Sequence, residues 1–263
     1  MSDYQLRFGG INRLYGNNGS QIIQGSHFCV IGIGGVGSWA AEALARNGVG
    51  EITLIDLDDI CVTNVNRQIH ALTHTVGLSK VEVMSDRIKA INPDCKIHLI
   101  EDFVTPDNLF DLLLPAFDYV IDAIDSVNVK TKLIAHCKRN KLPIITIGGA
   151  GGQIDPTQIQ ICDLSQTYQD PLLAKVRNQL RREHNFSRNV KRKFSIDAVF
   201  STEQLVYPDN EGNVCHQKPE ANGAMKLDCS GGFGSTTHVT ATFAFFAVSR
   251  AIQKLIRKKS SKK

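Results

Sequence analysis

The sequence predicts an α/β fold: a doubly wound, mainly parallel, Rossmann-like sheet with an elaborated C-terminal half. Three observations predict it. Short, nearly all-apolar runs alternate with helical stretches from His27 to Gly148, as expected of strands buried on both faces. A glycine loop, GIGGVGS, sits between the first such run and the first helical stretch. The chain of 263 residues, 42% hydrophobic, is long enough for one large core.

Taken in order, residues 1–26 form an N-terminal arm whose polar and charged residues do not read as a secretory leader. Strands are expected over 27–32 (HFCVIG), 51–56 (EITLID), 95–100 (CKIHLI), 118–123 (DYVIDA) and 142–148 (LPIITIG). Between them 36–47, 80–91, 106–114 and 127–139 read as helices. These elements make a nucleotide-binding core over 27–152. In the C-terminal part, 153–263, a strand over 158–162 precedes a basic helix over 170–183. A less regular stretch follows to residue 223, with a turn at DNEG, and then a final helix over 236–257. No internal repeat divides the chain, so 1–263 reads as a single domain.

Charge and cysteine usage narrow the function classes. The formal charge of +4 is segregated. Residues 175–193 carry eight basic side chains against Glu183 alone, and 250–263 carry seven with no acid. A body of 15 basic and 25 acidic residues is left between them, so two basic segments ride on an acidic protein. That pattern points to a polyanionic partner. The seven cysteines come no closer than Cys215 and Cys229, so there is no CxxC pair for zinc or redox chemistry. Their odd, scattered placement suits reduced thiols in a cytoplasmic protein. The longest apolar stretch, 239–248, falls short of the about 18 residues a membrane span needs.

Gly32, Gly34 and Gly37, with Gly35 inside the loop, form GxGxxG between a strand and a helix. There the backbone approaches phosphate and helix N–H groups face an anion. Asp56 closes the next strand, where a carboxylate accepts from ribose hydroxyls. Alone, this fingerprint fits a nicotinamide oxidoreductase. Downstream, however, LDD places Asp58, NVNRQ places Asn64 and Arg67, and GLSK places Lys80 at a helix start. Two further cations near the same strand ends suit a triphosphate. DAIDS then sets Asp122 and Asp125 at a strand's carboxyl end, the edge where open α/β sheets bind ligands. Such a pair can hold a hard cation. Asp125, beyond the strand proper, is the better ligand, and capping of the following helix is its alternative role.

In this order and spacing, GIGGVGS, LIDLDD, NVNRQ, GLSK and DAIDS resemble the ubiquitin-activating-enzyme-like superfamily with the ThiF/MoeB adenylation fold, over roughly residues 10–150. The resemblance implies ATP and Mg2+, with AMP transferred to a carboxylate and pyrophosphate released. Asp56 would hold the ribose, with Asp58 and the glycine loop lining the ATP site. Asn64 would order that site, Arg67 and Lys80 would hold the phosphates, and Asp125 would bind magnesium. Arg13, in INRLYG, matches an arginine that reaches a neighbour's triphosphate across a homodimer, with Arg7 a weaker match.

The missing zinc cysteines separate the chain from members that activate small proteins. RFGGINRLYG, the basic middle and LDCSGGFGS are similar instead to the tRNA threonylcarbamoyladenosine dehydratases. That resemblance implies ATP-dependent cyclisation of a threonylcarbamoyl side chain in the tRNA anticodon loop. It also implies a cysteine desulfurase or sulfur-acceptor partner and leaves open a structural monovalent cation. Lys175, Arg177, Arg181, Arg182, Arg188, Lys191, Arg192 and Lys193 become candidate tRNA contacts. Cys229 is either a persulfide relay or a small buried hydrophobe. Three alternatives stand beside this reading: an adenylating enzyme for a small sulfur-carrier protein, an NAD-dependent oxidoreductase, and a nucleotide-binding scaffold without turnover. The final helix is expected to bury a stripe including Phe243, Phe246 and Ile252. Peripheral membrane contact through that helix and its Lys tail is a minor reading.

Overall fold

A computed structural model describes residues 2–105, 107–113, 117–209, 212–216 and 233–261. Seven strands form one sheet: β1 (His27–Ile31), β2 (Glu51–Ile55), β3 (Lys96–Ile100), β4 (Tyr119–Asp122), β5 (Ile144–Ile147), β6 (Ile159–Asp163) and β7 (Asp197–Ser201). Their order is β3-β2-β1-β4-β5-β7-β6, parallel throughout except for the antiparallel pair β6–β7. Strand order reverses between β1 and β4. Such a switch point opens a crevice at the carboxyl ends of the strands.

The central strands are buried at nearly every position, which explains their unbroken apolar runs. On one face α2 (Gly37–Arg46), α3 (Lys80–Ile91) and α7 (Thr237–Ser260) pack over Phe28, Val30, Ile52 and Leu54. On the other, α5 (Val127–Arg139) and α6 (Pro171–Glu183) cover Cys29, Ile31, Val120 and Ala198. A short helix, α4 (Leu109–Leu112), leads into β4, and a two-stranded ribbon, β8 (Tyr207–Pro208) with β9 (Val214–Cys215), follows β7.

The helix expected over 106–114 is only the single turn α4 among the described residues, and two further elements differ from the sequence expectation. The N-terminal arm is a helix, α1 (Asp3–Gln24), kinked at Phe8 and Gly16 and started by a Ser2/Gln5 capping box. It lies against α7, and the Tyr4 hydroxyl donates to the Gly48 carbonyl at 2.7 Å. The stretch read as irregular after α6 contains β7, which inserts between β5 and the edge strand β6.

The final helix is long and apolar enough to span a membrane by length and composition, yet more than half of that window is buried in the protein. Phe243 and Ile252 are in the core, whereas Phe246 is 37% exposed and stands outside the expected stripe. The reason is angular. The buried face runs through Val239, Phe243, Ala247, Ala251 and Leu255 at helical spacing, and Phe246 lies to its side.

Candidate active site

The glycine loop leaves β1 at the switch point. Gly32 has φ +87°, and a Cβ there would stand 3.0 Å from the Ala123 carbonyl oxygen at the end of β4. At Gly37 a Cβ would fall 1.7 Å from the Gly32 carbonyl oxygen, so only glycine closes this turn. Helix α2 then starts without a side-chain cap or an acidic residue in its first turn. The Ser38 and Ala40 N–H groups are taken by the Gly34 and Val36 carbonyls, and the positive end of the helix dipole, at the glycine loop, suits a phosphate oxygen. Ser38 Oγ, buried in the same turn, has no hydrogen-bond partner among the described residues.

Asp56 braces this loop from the end of β2. One carboxylate oxygen accepts from the Ile33 N–H at 2.5 Å and the other from the Asp58 N–H at 2.9 Å. Burial pushes its carboxyl above the ordinary range, against the opposing pull of Lys80 and the two backbone donors.

Lys80 is 6% exposed and opens α3. A cation at a helix N-terminus is opposed by the helix dipole. Here two carboxylates compensate: Nζ lies 2.7 Å from Asp58 Oδ2 and 4.0 Å from Asp56 Oδ1. A desolvated ammonium held between acids at a strand end is preorganised for an incoming anion.

Asn64 is buried, and its side-chain oxygen accepts from the Cys61 N–H at 2.9 Å, fixing the turn that carries Arg67. The Arg67 stem packs over Gly35, and its guanidinium donates to the Thr63 carbonyl at 2.7 Å and to Asn66 Oδ1 at 3.0 Å. The Arg67 carbonyl in turn accepts from Trp39 Nε1 at 3.0 Å. Asn66 donates to the Ser235 carbonyl at 2.8 Å, so the segment entering α7 docks on this loop.

Asp122 and Asp125 have different environments. Asp122 is fully buried and paired with the equally buried Lys130 at 2.8 Å. It also accepts from the Thr146 hydroxyl at 2.7 Å and from the Ile124 N–H at 3.1 Å. Fully buried and already neutralised by Lys130, it is not placed to serve as a cation ligand in the crevice. Asp125 is exposed and makes no hydrogen bond or ion pair among the described residues, and α5 starts at Ser126 without a side-chain cap. The capping role is therefore not the one it plays.

Sequence reasoning missed three supports of the site. His70 is buried and its Nε2 meets the Ile33 carbonyl at 3.0 Å; burial lowers its pKa to about 4, so the ring is neutral and donates there. Lys130 holds Asp122. Asp170, the N-cap of α6, accepts from the Gly149 N–H at 3.0 Å and from the Leu173 N–H at 2.8 Å. None stands in a motif, and each acts through a partner in another element or loop, at separations from 8 to 37 positions.

Arg13 lies exposed on α1, in a stretch where Leu6 and Leu14 are 66% and 72% exposed. Of the basic segment, Lys175, Arg182, Arg188, Lys191, Arg192 and Lys193 are exposed. Arg177 is partly buried and donates to Thr167, while Arg181 stacks over the Phe194 ring at 5.4 Å. These two are anchored in the protein, and Arg182 pairs with Glu183 at 2.6 Å. In the C-terminal segment Lys254 is paired with Asp197 at 2.6 Å and Lys259 with Asp118 at 2.8 Å. Cys229 lies outside the described residues.

A switch-point crevice with an uncapped helix N-terminus, a carboxylate at the end of β2 and two cations defines a nucleotide-binding protein. Comparison with known proteins agrees: the ThiF family model matches residues 10–263, and the chain belongs to the ThiF family. It is 58% identical over 255 residues to the tRNA threonylcarbamoyladenosine dehydratase of Escherichia coli (strain K12), covering 97% of this chain and 95% of that protein. It is 59% identical to the Haemophilus influenzae protein of the same name, covering 99% of this chain and 97% of the relative. The crystal structure of E. coli tRNA N6-threonylcarbamoyladenosine dehydratase, TcdA, in complex with ATP superposes with a TM-score of 0.89. It is 54% identical and covers 100% of this chain and 99% of that one.

Proposed function

We propose that this chain is an ATP-dependent tRNA threonylcarbamoyladenosine dehydratase. The supporting observation is its near-full-length likeness to a dehydratase solved with ATP, together with a glycine loop, Asp56, Arg67 and Lys80 gathered at one switch point. The substrate carboxylate is a poor electrophile. Its attack on the α-phosphorus of ATP releases pyrophosphate and makes one carboxylate oxygen part of an AMP leaving group. An internal nucleophile of the same side chain then closes a ring, AMP departs, and the net change is loss of water.

The chain's own residues bind and position. Asp56 accepts from ribose hydroxyls, the α2 N-terminus and Lys80 stabilise phosphate charge, and Arg67 adds a second cation held by Thr63 and Asn66. Asp125, an exposed carboxylate without a partner among the described residues, fits Mg2+, which keeps most of its waters and takes one or two carboxylates. That ion would neutralise charge on the phosphates. The exposed Arg13, flanked by exposed Leu6 and Leu14, supports a homodimer in which it serves the neighbour's triphosphate. No protein nucleophile is required. The chain works in the cytoplasm in this reading, because the apolar face of α7 is in the core and two of its lysines are paired, leaving little for a membrane.

The deciding experiment incubates the purified protein with ATP, Mg2+ and threonylcarbamoyl-modified tRNA and follows the nucleoside by mass spectrometry. A mass lower by one water, with AMP and pyrophosphate formed, is the expected result; an unchanged nucleoside overturns the proposal.

For tRNA, the exposed cations Arg188, Lys191, Arg192 and Lys193 form the contact set. Replacing all four with Ala is expected to weaken tRNA binding and lower the salt-dependence slope by about 3, at roughly 0.7–0.9 per phosphate contact, with ATP affinity unchanged. An unchanged slope removes them from the interface.

A further inference from the structure

We propose that His27, Glu51 and His98 form a binding site for a first-row divalent cation of the zinc class, at the end of the sheet opposite the nucleotide crevice. The residues stand on three adjacent parallel strands. His27 and Glu51 are in register as the first residues of β1 and β2, and His98 on β3 pairs in register with Thr53, two positions along β2 from Glu51. Because side chains alternate along a strand, all three project from one face. The glycine loop begins at Gly32, just beyond the far end of β1 and about 16 Å away at 3.3 Å per residue.

One atom from each residue converges. Glu51 Oε1 lies 2.8 Å from His98 Nε2 and 3.6 Å from His27 Nδ1, and the three ligand atoms all lie within 4.8 Å of one another. Tetrahedral zinc with bonds of about 2.0–2.1 Å holds its ligands about 3.3 Å apart, so small rotamer adjustments suffice. Two imidazoles and one carboxylate are a donor set for zinc and its neighbours rather than for magnesium or calcium, and three protein ligands leave a fourth position for water.

The surroundings suit that role. His27 Nε2 lies 2.8 Å from Thr53 Oγ1; with that hydroxyl accepting the ring proton, Nδ1 presents its lone pair toward Glu51. The Phe117 ring meets His27 edge-on at 4.8 Å and walls one side of the cluster. The His98 side chain is 52% exposed and leaves an entry path. The absence of CxxC pairs excludes a cysteine zinc knuckle, and this donor set uses no sulfur.

The test uses the full chain, stripped of metal with chelator and kept free of ATP. Zinc titration by calorimetry is expected to give one ion per chain. Cobalt(II) is expected to give visible d–d bands of tetrahedral type without the near-ultraviolet thiolate charge-transfer band that a cysteine ligand produces. His98→Ala, at an exposed position, and Glu51→Gln, close in shape to the wild type, are each expected to weaken zinc binding at least 10-fold, with thermal unfolding of the metal-free proteins confirming that both are folded. No saturable binding, a thiolate band, or undiminished affinity in both variants overturns the site.

Discussion

Lys80→Met lowers ATP-dependent turnover by about 10²–10³-fold, the range seen when one preorganised charge-stabilising group is removed from a water-poor site. Met keeps the length of the stem and removes only the ammonium. The folded state tolerates the change, because Asp58, the partner at 2.7 Å, is half exposed and returns to solvent. Asp56 is the residue that feels the loss. It is buried and braces Ile33, and Lys80 is the main opposing influence on a carboxyl that burial already pushes upward. ATP affinity therefore falls along with turnover. Steady-state rates of the dehydration assay, set beside ATP titration by calorimetry, check both, and wild-type turnover in the variant would remove Lys80 from the reaction.

Lys130→Met lowers the thermal midpoint by about 6–20 °C. The Lys130–Asp122 pair is fully buried on both sides at 2.8 Å, and losing one partner strands a charge inside the fold at about 3–5 kcal/mol. Each kcal/mol shifts the midpoint by about 2–4 °C in a chain of roughly this size. Adding Asp122→Asn is expected to recover much of the loss, because a neutral amide removes the stranded charge. Calorimetric midpoints of the two single variants and the double variant complete the cycle. A single-variant shift under 2 °C, or no recovery in the double, would show that the pair is not the support described above. Because Ala123 meets Gly32 immediately beyond this pair, the same variant also loosens the floor of the nucleotide crevice.

The central fold was legible because β1, β2, β4 and β5 are buried at nearly every position and therefore written as nearly unbroken apolar runs, whereas β3, at the sheet edge, is largely exposed. β7 was not legible. In SIDAVFS an aspartate opens the strand, where Lys254 of the last helix neutralises it, and that pairing joins residues 57 positions apart in the chain. α1 was missed because its face is completed by contacts distant in sequence, with α7 and with Gly48, and RFGG and YGNNG place glycines inside it. Within the site, the residues that occupy motifs were readable, since chemistry demands a residue type at a spacing. His70, Lys130 and Asp170 were not, because what they do is set by which backbone or carboxylate the fold brings beside them. The basic segment was legible as a charge but not as a surface: nothing in its composition separates Arg177 and Arg181, anchored by Thr167 and Phe194, from the exposed cations around them.

The position of α7 has a consequence for how the chain reaches this state. One face of the sheet is built early in the sequence, from β1, β2 and β4, and α2 and α3 cover part of it, but the cover is completed only by residues 237–260. Until that helix emerges, a nascent chain carries a formed or forming parallel sheet with an open hydrophobic side, and the Arg67 loop lacks the Asn66–Ser235 and Asn66–Thr237 bonds that hold it. Contacts of such high sequence separation form slowly and leave intermediates prone to association. The ATP site is therefore completed last, by the arrival of the C-terminal helix, and an incomplete chain carries the nucleotide motifs without the scaffold that aims them.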